Sequence, residues 1–252
     1  YVHKNMVIGI IENLRDSYDF ANRSLKSFSD WLILITICLL YAACVALMFF
    51  GILDFVVTSI ETIIPDACVY AVLSLIFGIL ITGLTIRVYR GGELTHGAWG
   101  DMFLDGLLAC IISIVYLIPY FVISVLLKFG PMTNATYVFA AMIIELIFVL
   151  ITSMILYMGL IRFAKEQCFG AAFQMKELFN IIGTIGWLRY LANVIVVGVV
   201  ILVIVIVLMF ILVVGWILLV AIMPLLIIWE AKFFSNLYES AVAEAAQAAI
   251  EE

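Results

Sequence analysis

One carboxylate stands apart from the other charged residues of this 252-residue chain. Glu145 lies inside the run 137–161, which is otherwise uncharged and apolar. It sits eight residues from the start of that run, roughly 12 Å along a helix that rises about 1.5 Å per residue. An ionisable group at such depth in a bilayer is costly and is a functional-site candidate by default. Tyr116 and Tyr120 fall at a similar depth on the preceding apolar run, and Tyr41 does so on the first. Two chemistries fit these residues. One is a proton- or cation-coupled group in a transport pathway. The other is a neutral carboxyl hydrogen-bonded to a tyrosine inside the bundle, because desolvation favours the uncharged form. Transporters usually add broken helices or several midplane polar groups, and the sequence places no Lys, Arg or His beside Glu145.

Other chemistry-bearing residues are weaker signals. Asp54, Glu61 and Asp66 lie in one expected loop and carry the oxygen ligands a divalent cation takes. Their spacing matches no calcium loop, so a solvated acidic loop is the expectation. Asn134-Ala135-Thr136 is an N-glycosylation acceptor on the same expected outer face. Asn22-Arg23-Ser24 has the same pattern on the opposite face, where it goes unused. The two histidines, His3 and His96, are far apart and no Cys-x-x-Cys occurs, so no metal centre and no cofactor are expected. The five cysteines, Cys38, Cys44, Cys68, Cys110 and Cys168, are scattered and read as small packing residues. No Gly-x-Ser-x-Gly, His-Glu-x-x-His or Walker loop is present, and Arg90-Gly91-Gly92-Glu93 is only a glycine turn. Enzymatic work in a membrane needs a nucleophile–base pair or a metal cluster, so the chain is read as a non-enzyme. A net charge of −6 argues against nucleic acid, whose binding rests on Lys and Arg displacing counterions.

The elements that must hold these residues are set by composition. Hydrophobic residues make up 67% and charged residues 12%, against about 45–50% and about 25% in soluble domains. Mean hydropathy is +1.29. The chain is therefore expected to be an all-α integral membrane protein. A span needs about 20 apolar residues, and the gaps between charges place six, at about 31–53, 67–89, 104–127, 137–162, 189–212 and 215–234. The last two divide one uncharged run, 190–229, which at about 1.5 Å per residue is too long for one crossing. Gly215, in Val213-Val214-Gly215-Trp216, is the expected turn between them. Pro119 and Pro224 fall inside spans, which membrane helices tolerate with a kink. Every basic residue except Lys128 lies on one side of this topology. The positive-inside rule makes that side cytoplasmic, with both termini on it, in a multi-pass cell-membrane protein.

Between the spans, 10–30, 97–108 and 171–187 each mix apolar with charged residues. Leu14, Tyr18, Leu25 and Phe28 mark the first, Trp99, Met102 and Phe103 the second, and Phe173, Leu178, Phe179 and Ile182 the third. Such patterns suit helices lying in the headgroup plane. The expected architecture is three hairpins, each preceded by a cytoplasmic amphipathic interfacial helix, in one membrane domain, 1–252. The Ala- and Glu-rich segment 235–252 extends the last helix into the cytoplasm. Ser74, Gly78 and Thr82 form a small-residue stripe for a close helix contact, internal rather than between copies. Met6 is a plausible start, which makes 1–5 an upstream remnant.

Charges gather on the cytoplasmic rim at Arg87, Arg90, Glu93, Asp101, Asp105, Arg162, Glu177 and Arg189. Asp105 opens a span, where a helix N-terminus favours negative charge. Arg87 and Arg162 close spans, where long cationic side chains snorkel. The favoured reading is that these charges pin helix ends. The sharper one is a contact face for a partner or an anionic headgroup.

The sequences Gly83-Leu-Thr-Ile-Arg87-Val-Tyr89-Arg90-Gly91 and Ala98-Trp99-Gly100-Asp101-Met-Phe103-Leu-Asp105-Gly106 are followed by Ile161-Arg162-Phe163-Ala164 and Phe169-Gly170-Ala171-Ala172-Phe173. Ile185-Gly186-Trp187-Leu-Arg-Tyr190 and Val214-Gly215-Trp216 come last. In this order and spacing the chain resembles an archaeal polytopic membrane family, frequent in methanogens, known as domain of unknown function 4013. The resemblance runs from Met6 to about Ala241 and brings no reaction, substrate or catalytic residue with it. It implies an archaeal cell membrane with diether or tetraether lipids, and makes the rim motifs the family's defining surface. The acidic first outer loop is a departure from that pattern.

The expected function is that of a scaffold, accessory subunit or membrane-organising component. Its partners would be membrane lipids and either further copies of itself or other membrane subunits. The alternative is a small-solute or ion transporter using Glu145.

Overall fold

A computed structural model describes residues 7–24, 27–55, 60–91, 99–131 and 133–251, with the side chains of these apart from 49–55, 60–67, 212, 213 and 251. The expectations for residues 1–5, Leu25, Glu93, His96 and the carboxylates of Asp54, Glu61 and Asp66 lie outside the described residues.

Among the described residues all regular structure is helical. The order is α1 (Ile10–Ser24), α2 (Phe28–Phe55), α3 (Ile60–Tyr89), α4 (Trp99–Lys128), α5 (Ala135–Glu166), a 3-10 turn (Phe169–Phe173), α6 (Met175–Ile185), α7 (Trp187–Met209) and α8 (Leu212–Glu251). The helices α2, α3, α4, α5, α7 and α8 are long and apolar enough to cross a membrane. The chain is a multi-pass membrane protein. Helices α2 to α5 have 28 to 32 residues, about 42–48 Å at 1.5 Å per residue. That exceeds the hydrocarbon thickness of about 30 Å, so they tilt or extend past it. Pro119 and Pro224 sit within α4 and α8.

The main packed core lies at one end of the bundle. On α4 the buried residues run from Met102 to Tyr116, and none follows over 117–128. On α5 the stretch 142–151 has no buried residue, whereas Thr152, Met154, Met158 and Ile161 to Ala164 are buried. On α7 only Tyr190, Asn193 and Val197 are buried, all in its first half. On α3 nothing is buried over 68–78, and Ile79, Leu84, Ile86, Val88 and Tyr89 are. The packed end is the one that carries Arg90, Asp105, Arg162 and Arg189, here called the basic end. Helix α8 is its spine, packing against α1, α2, α3, α5, α6 and α7. Its second half brings Phe233, Phe234, Leu237 and Ala241 into the core. The segment 235–252, expected to extend the last helix, does continue α8, and its first part, through Leu237, Tyr238 and Ala241, is buried in the core.

Close approach of α3 and α4 depends on two glycines. A Cβ on Gly83 would lie 1.9 Å from the Met102 carbonyl oxygen, and one on Gly106 would lie 1.9 Å from that of Ile79. The backbones meet there without side chains between them, the packing that small residues permit in membranes. This contact explains a departure from expectation. The segment 97–108 supplies no separate interfacial helix among the described residues, because Trp99 to Lys128 is one helix held along α3.

Other expectations shift in detail. The turn before α8 is Phe210–Ile211, where Phe210 N–H donates to the Ile206 carbonyl and Ile211 N–H to that of Leu208. Gly215 lies in the first turn of α8, where a Cβ would come within 1.7 Å of the Leu208 carbonyl oxygen. It permits a tight approach rather than making the bend. Helix α3 begins at Ile60, well before the expected span start. In α1 the buried residues are Asn13, Ser17 and Ala21, not the apolar set, and Tyr18 is exposed. The Ser74–Gly78–Thr82 stripe meets α2, with the Tyr41 ring 3.4 Å from a Cβ placed on Gly78. All five cysteines are free, and Cys68 and Cys168 are exposed rather than packed.

Candidate functional site

Three polar groupings are candidates, one toward the far end and two at the basic end. Glu145 is half-buried on the face of α5 that also carries buried Ala141 and Thr152. Its Oε1 accepts a 2.9 Å hydrogen bond from Ser124 Oγ on α4. The outer end of this helix pair is marked by Tyr137, whose hydroxyl donates to the Leu127 carbonyl. Neither tyrosine expected beside Glu145 bonds to it. Tyr116 points toward the basic end, donates to the Ala172 carbonyl and stacks on Phe173 with ring centres 5.7 Å apart. Gly159 makes room for that phenol, since a Cβ there would lie 2.8 Å from the Tyr116 oxygen. Tyr120 is half-buried, and its hydroxyl makes no hydrogen bond among the described residues. Tyr116, Tyr120 and Ser124 repeat every four residues, one face of α4. The residue nearest the expected depth is thus not the one whose side chain reaches Glu145.

The second grouping escaped the sequence reading. Glu230 of α8 accepts a 2.9 Å hydrogen bond from Tyr157 of α5, and the Tyr157 ring stacks on Phe234 at 4.8 Å. Tyr89 of α3 lies close enough to interact electrostatically with both members of this pair, and Tyr190 of α7 with Tyr157. Tyr89 and Tyr190 are almost wholly buried. Tyr190 donates to the Met154 carbonyl at 2.7 Å. Tyr157 of α5 and Glu230 of α8 thus join two helices, with Tyr89 and Tyr190 buried near them. Glu230 closes the apolar run before it, so in sequence it read as the boundary of a span rather than as part of its interior. The one available signal was Tyr157, facing the same level from the neighbouring span.

The third grouping is the set of rim charges. Arg90 forms a two-pronged ion pair with Asp105, at 2.6 and 2.7 Å, and its Nε donates to the Ala164 carbonyl at 3.1 Å. One guanidinium thus ties the ends of α3 and α5 to the start of α4. Arg162 is buried, pairs with Glu166 at 2.7 Å and donates to Gln174 Oε1 at 2.7 Å, and its Nη1 has no hydrogen-bond partner among the described residues. Arg189 donates to the carbonyls of Val7 and Ile8 at 2.7 and 2.9 Å, holding the chain that leads into α1. Lys165 pairs with Glu239. Asp101 is exposed in the first turn of α4. Arg87 closes α3 within an interaction of its own. Asn134, the glycosylation candidate, is the N-cap of α5, its Oδ1 accepting from the N–H groups of Thr136 and Tyr137. Capping accounts for an Asn at that position.

Among the described residues no three His, Cys, Asp or Glu side chains gather to hold a metal. A cleft of about 470 Å³ opens between α2, α3 and α4 beside Tyr41, Ser74, Gly78 and Thr82. Another, of about 610 Å³, lies beside Trp31, Leu218, Ala221 and Leu225. Glu145 lines neither. A carboxyl held by a hydroxyl, as Glu145 is by Ser124 and Glu230 by Tyr157, can exchange a proton or bond a neighbouring group.

Residues 67–214, more than half of the chain, match the family described as "Protein of unknown function (DUF4013)". The chain belongs to the DUF4013 family. The matched region takes in the Gly83–Gly106 contact, the Arg90–Asp105 pair, Arg162 and Glu145. Glu230 and most of the α8 spine lie beyond it. No curated protein matches the chain. No solved structure matches it either.

Proposed function

We propose that this DUF4013 protein is a non-enzymatic scaffold, accessory subunit or membrane-organising component. The observation that carries the reading is the uneven packing of the spans. The rim guanidiniums of Arg90, Arg162 and Arg189 are engaged within the chain, while α4, α5 and α7 leave long apolar faces uncovered toward the far end. Such faces suit association with other membrane subunits or further copies of the chain, with lipid filling only what they leave, and no feature favours nucleic acid. The setting is an archaeal cell membrane, a reading that rests on the family resemblance. Lys and Arg bias makes the basic end cytoplasmic, with both termini there. In this reading the spans form three hairpins, α2–α3, α4–α5 and α7–α8, with α1 and α6 at the membrane surface.

The test is photocrosslinking in native membranes from benzoylphenylalanine at Leu146 of α5 or Leu202 of α7, both more than half exposed. Discrete protein adducts are expected. Lipid adducts alone at both positions would overturn the reading.

A second reading, small-solute or ion transport through Glu145, is favoured by one observation: an ionisable side chain half-exposed inside a span. It requires that Glu145→Gln abolish flux in liposomes. The scaffold reading expects that substitution to leave the liposomes unchanged.

A further inference from the structure

The α4–α5 seam carries two polar groups that the chain itself leaves incompletely paired. Glu145 has one carboxyl oxygen held by Ser124, and its other oxygen has no hydrogen bond among the described residues. Tyr120, one helical turn from Ser124, has a free hydroxyl in the same sense. Both side chains are half-exposed. Around them Ile118, Phe121, Leu146 and Ile147 are exposed, each by more than half. Glu145 stands roughly 12 Å along α5 from Tyr137, at about 1.5 Å per residue. Acyl chains offer no donor at that depth, and polar groups within a bilayer find partners on neighbouring helices.

We infer that this seam is the contact between two copies of the chain related by a two-fold axis, in which Tyr120 of each copy donates to the Glu145 carboxyl of the other. The patch suits such an axis because donor and acceptor lie on the same surface, so two identical faces satisfy each other. The apolar residues flanking the pair supply the close-packed surround. The inference rests on reading the uncovered faces as association surfaces, but it fails separately. The purified chain holds no other subunit, so a monomer here leaves assembly with foreign subunits standing.

The experiment is native mass spectrometry of the purified full chain released from nanodiscs, with dilution series to obtain the dissociation constant. The wild type is expected as two copies. Tyr120→Phe is expected to weaken association about 30-fold, one intramembrane hydrogen bond being lost on each side of the axis. Glu145→Leu removes the same two bonds and is expected to weaken association to a similar extent, and Glu145→Gln, which keeps an acceptor oxygen, is expected to remain paired. Tyr120→Phe leaves the Ser124–Glu145 bond intact, so it reads the seam even if Glu145→Leu fails to fold. A monomeric wild type would overturn the inference. So would a dimer as tight in Tyr120→Phe and in Glu145→Leu as in the wild type.

Discussion

At the scale of single residues, the polar side chains of this protein act mainly as ties between helices. Arg90 is the clearest, because one guanidinium meets both oxygens of Asp105 and the Ala164 carbonyl. Lysine cannot reproduce that planar fork. Arg90→Lys is expected to cost about 2 kcal/mol, seen as a lower thermal midpoint in detergent, with helicity before the transition unchanged. Tyr157→Phe isolates a second tie, since it keeps the stacking on Phe234 and removes only the donor to Glu230. Leaving that half-buried carboxyl without its donor is expected to cost about 1–3 kcal/mol. Restoring apolar character with the double substitution Tyr157→Phe and Glu230→Leu is expected to recover most of the loss, which a thermal-melt cycle measures. Sequence alone exposed Glu145 because its charge interrupts an apolar run, and hid Glu230 because its charge ends one. Depth counting then paired Glu145 with Tyr116 and Tyr120. The true partner, Ser124, is a small neutral residue whose side chain gives no signal until the register of α4 on α5 is known.

At the scale of elements, the existence of the spans was legible and their contacts were not. Hydropathy marks which helices cross a membrane, but in an apolar surround it says nothing of which face meets which neighbour. The α3–α4 contact rests on the missing side chains of Gly83 and Gly106. Gly106→Ala is expected to destabilise the fold by about 2–3 kcal/mol by forcing the two backbones apart, measurable as a lower thermal midpoint. Gly100, with open space around its Cβ position, is the matched control and is expected to tolerate Ala. Helix α1 inverts the usual logic of amphipathic patterns. Its buried face is polar and small, with Asn13 Nδ2 donating to the Phe233 carbonyl at 3.0 Å and Asn236 donating to Asn13 Oδ1 at 3.1 Å. Trp229 adds a 3.2 Å bond to the Leu14 carbonyl, and Lys232 lies over the Phe20 ring. Asn13→Leu is expected to undock α1 from α8 without unfolding the bundle. Faster tryptic cleavage at Arg15 and Arg23, with the remaining fragments as protected as in the wild type, is the outcome that checks it.

At the scale of the whole molecule, burial is concentrated at the basic end, and the far halves of α4, α5 and α7 bury little against the chain itself. Composition and charge bias made the membrane class and the number of spans readable, because both follow from one-dimensional hydropathy. The asymmetry of the core was not readable, because apolar residues fill a lipid-facing surface as readily as a packed one. The role of α8 as a spine was hidden for a related reason, since its Ala- and Glu-rich end looks like a solvated helix until Leu237, Tyr238 and Ala241 are seen to be covered. The most direct measurement is the mass of the complex extracted mildly from its native membrane, read intact by native mass spectrometry. The expected particle contains a second copy of this chain or a foreign chain in fixed ratio. A lone chain carrying only lipid would contradict the reading of its uncovered faces as association surfaces.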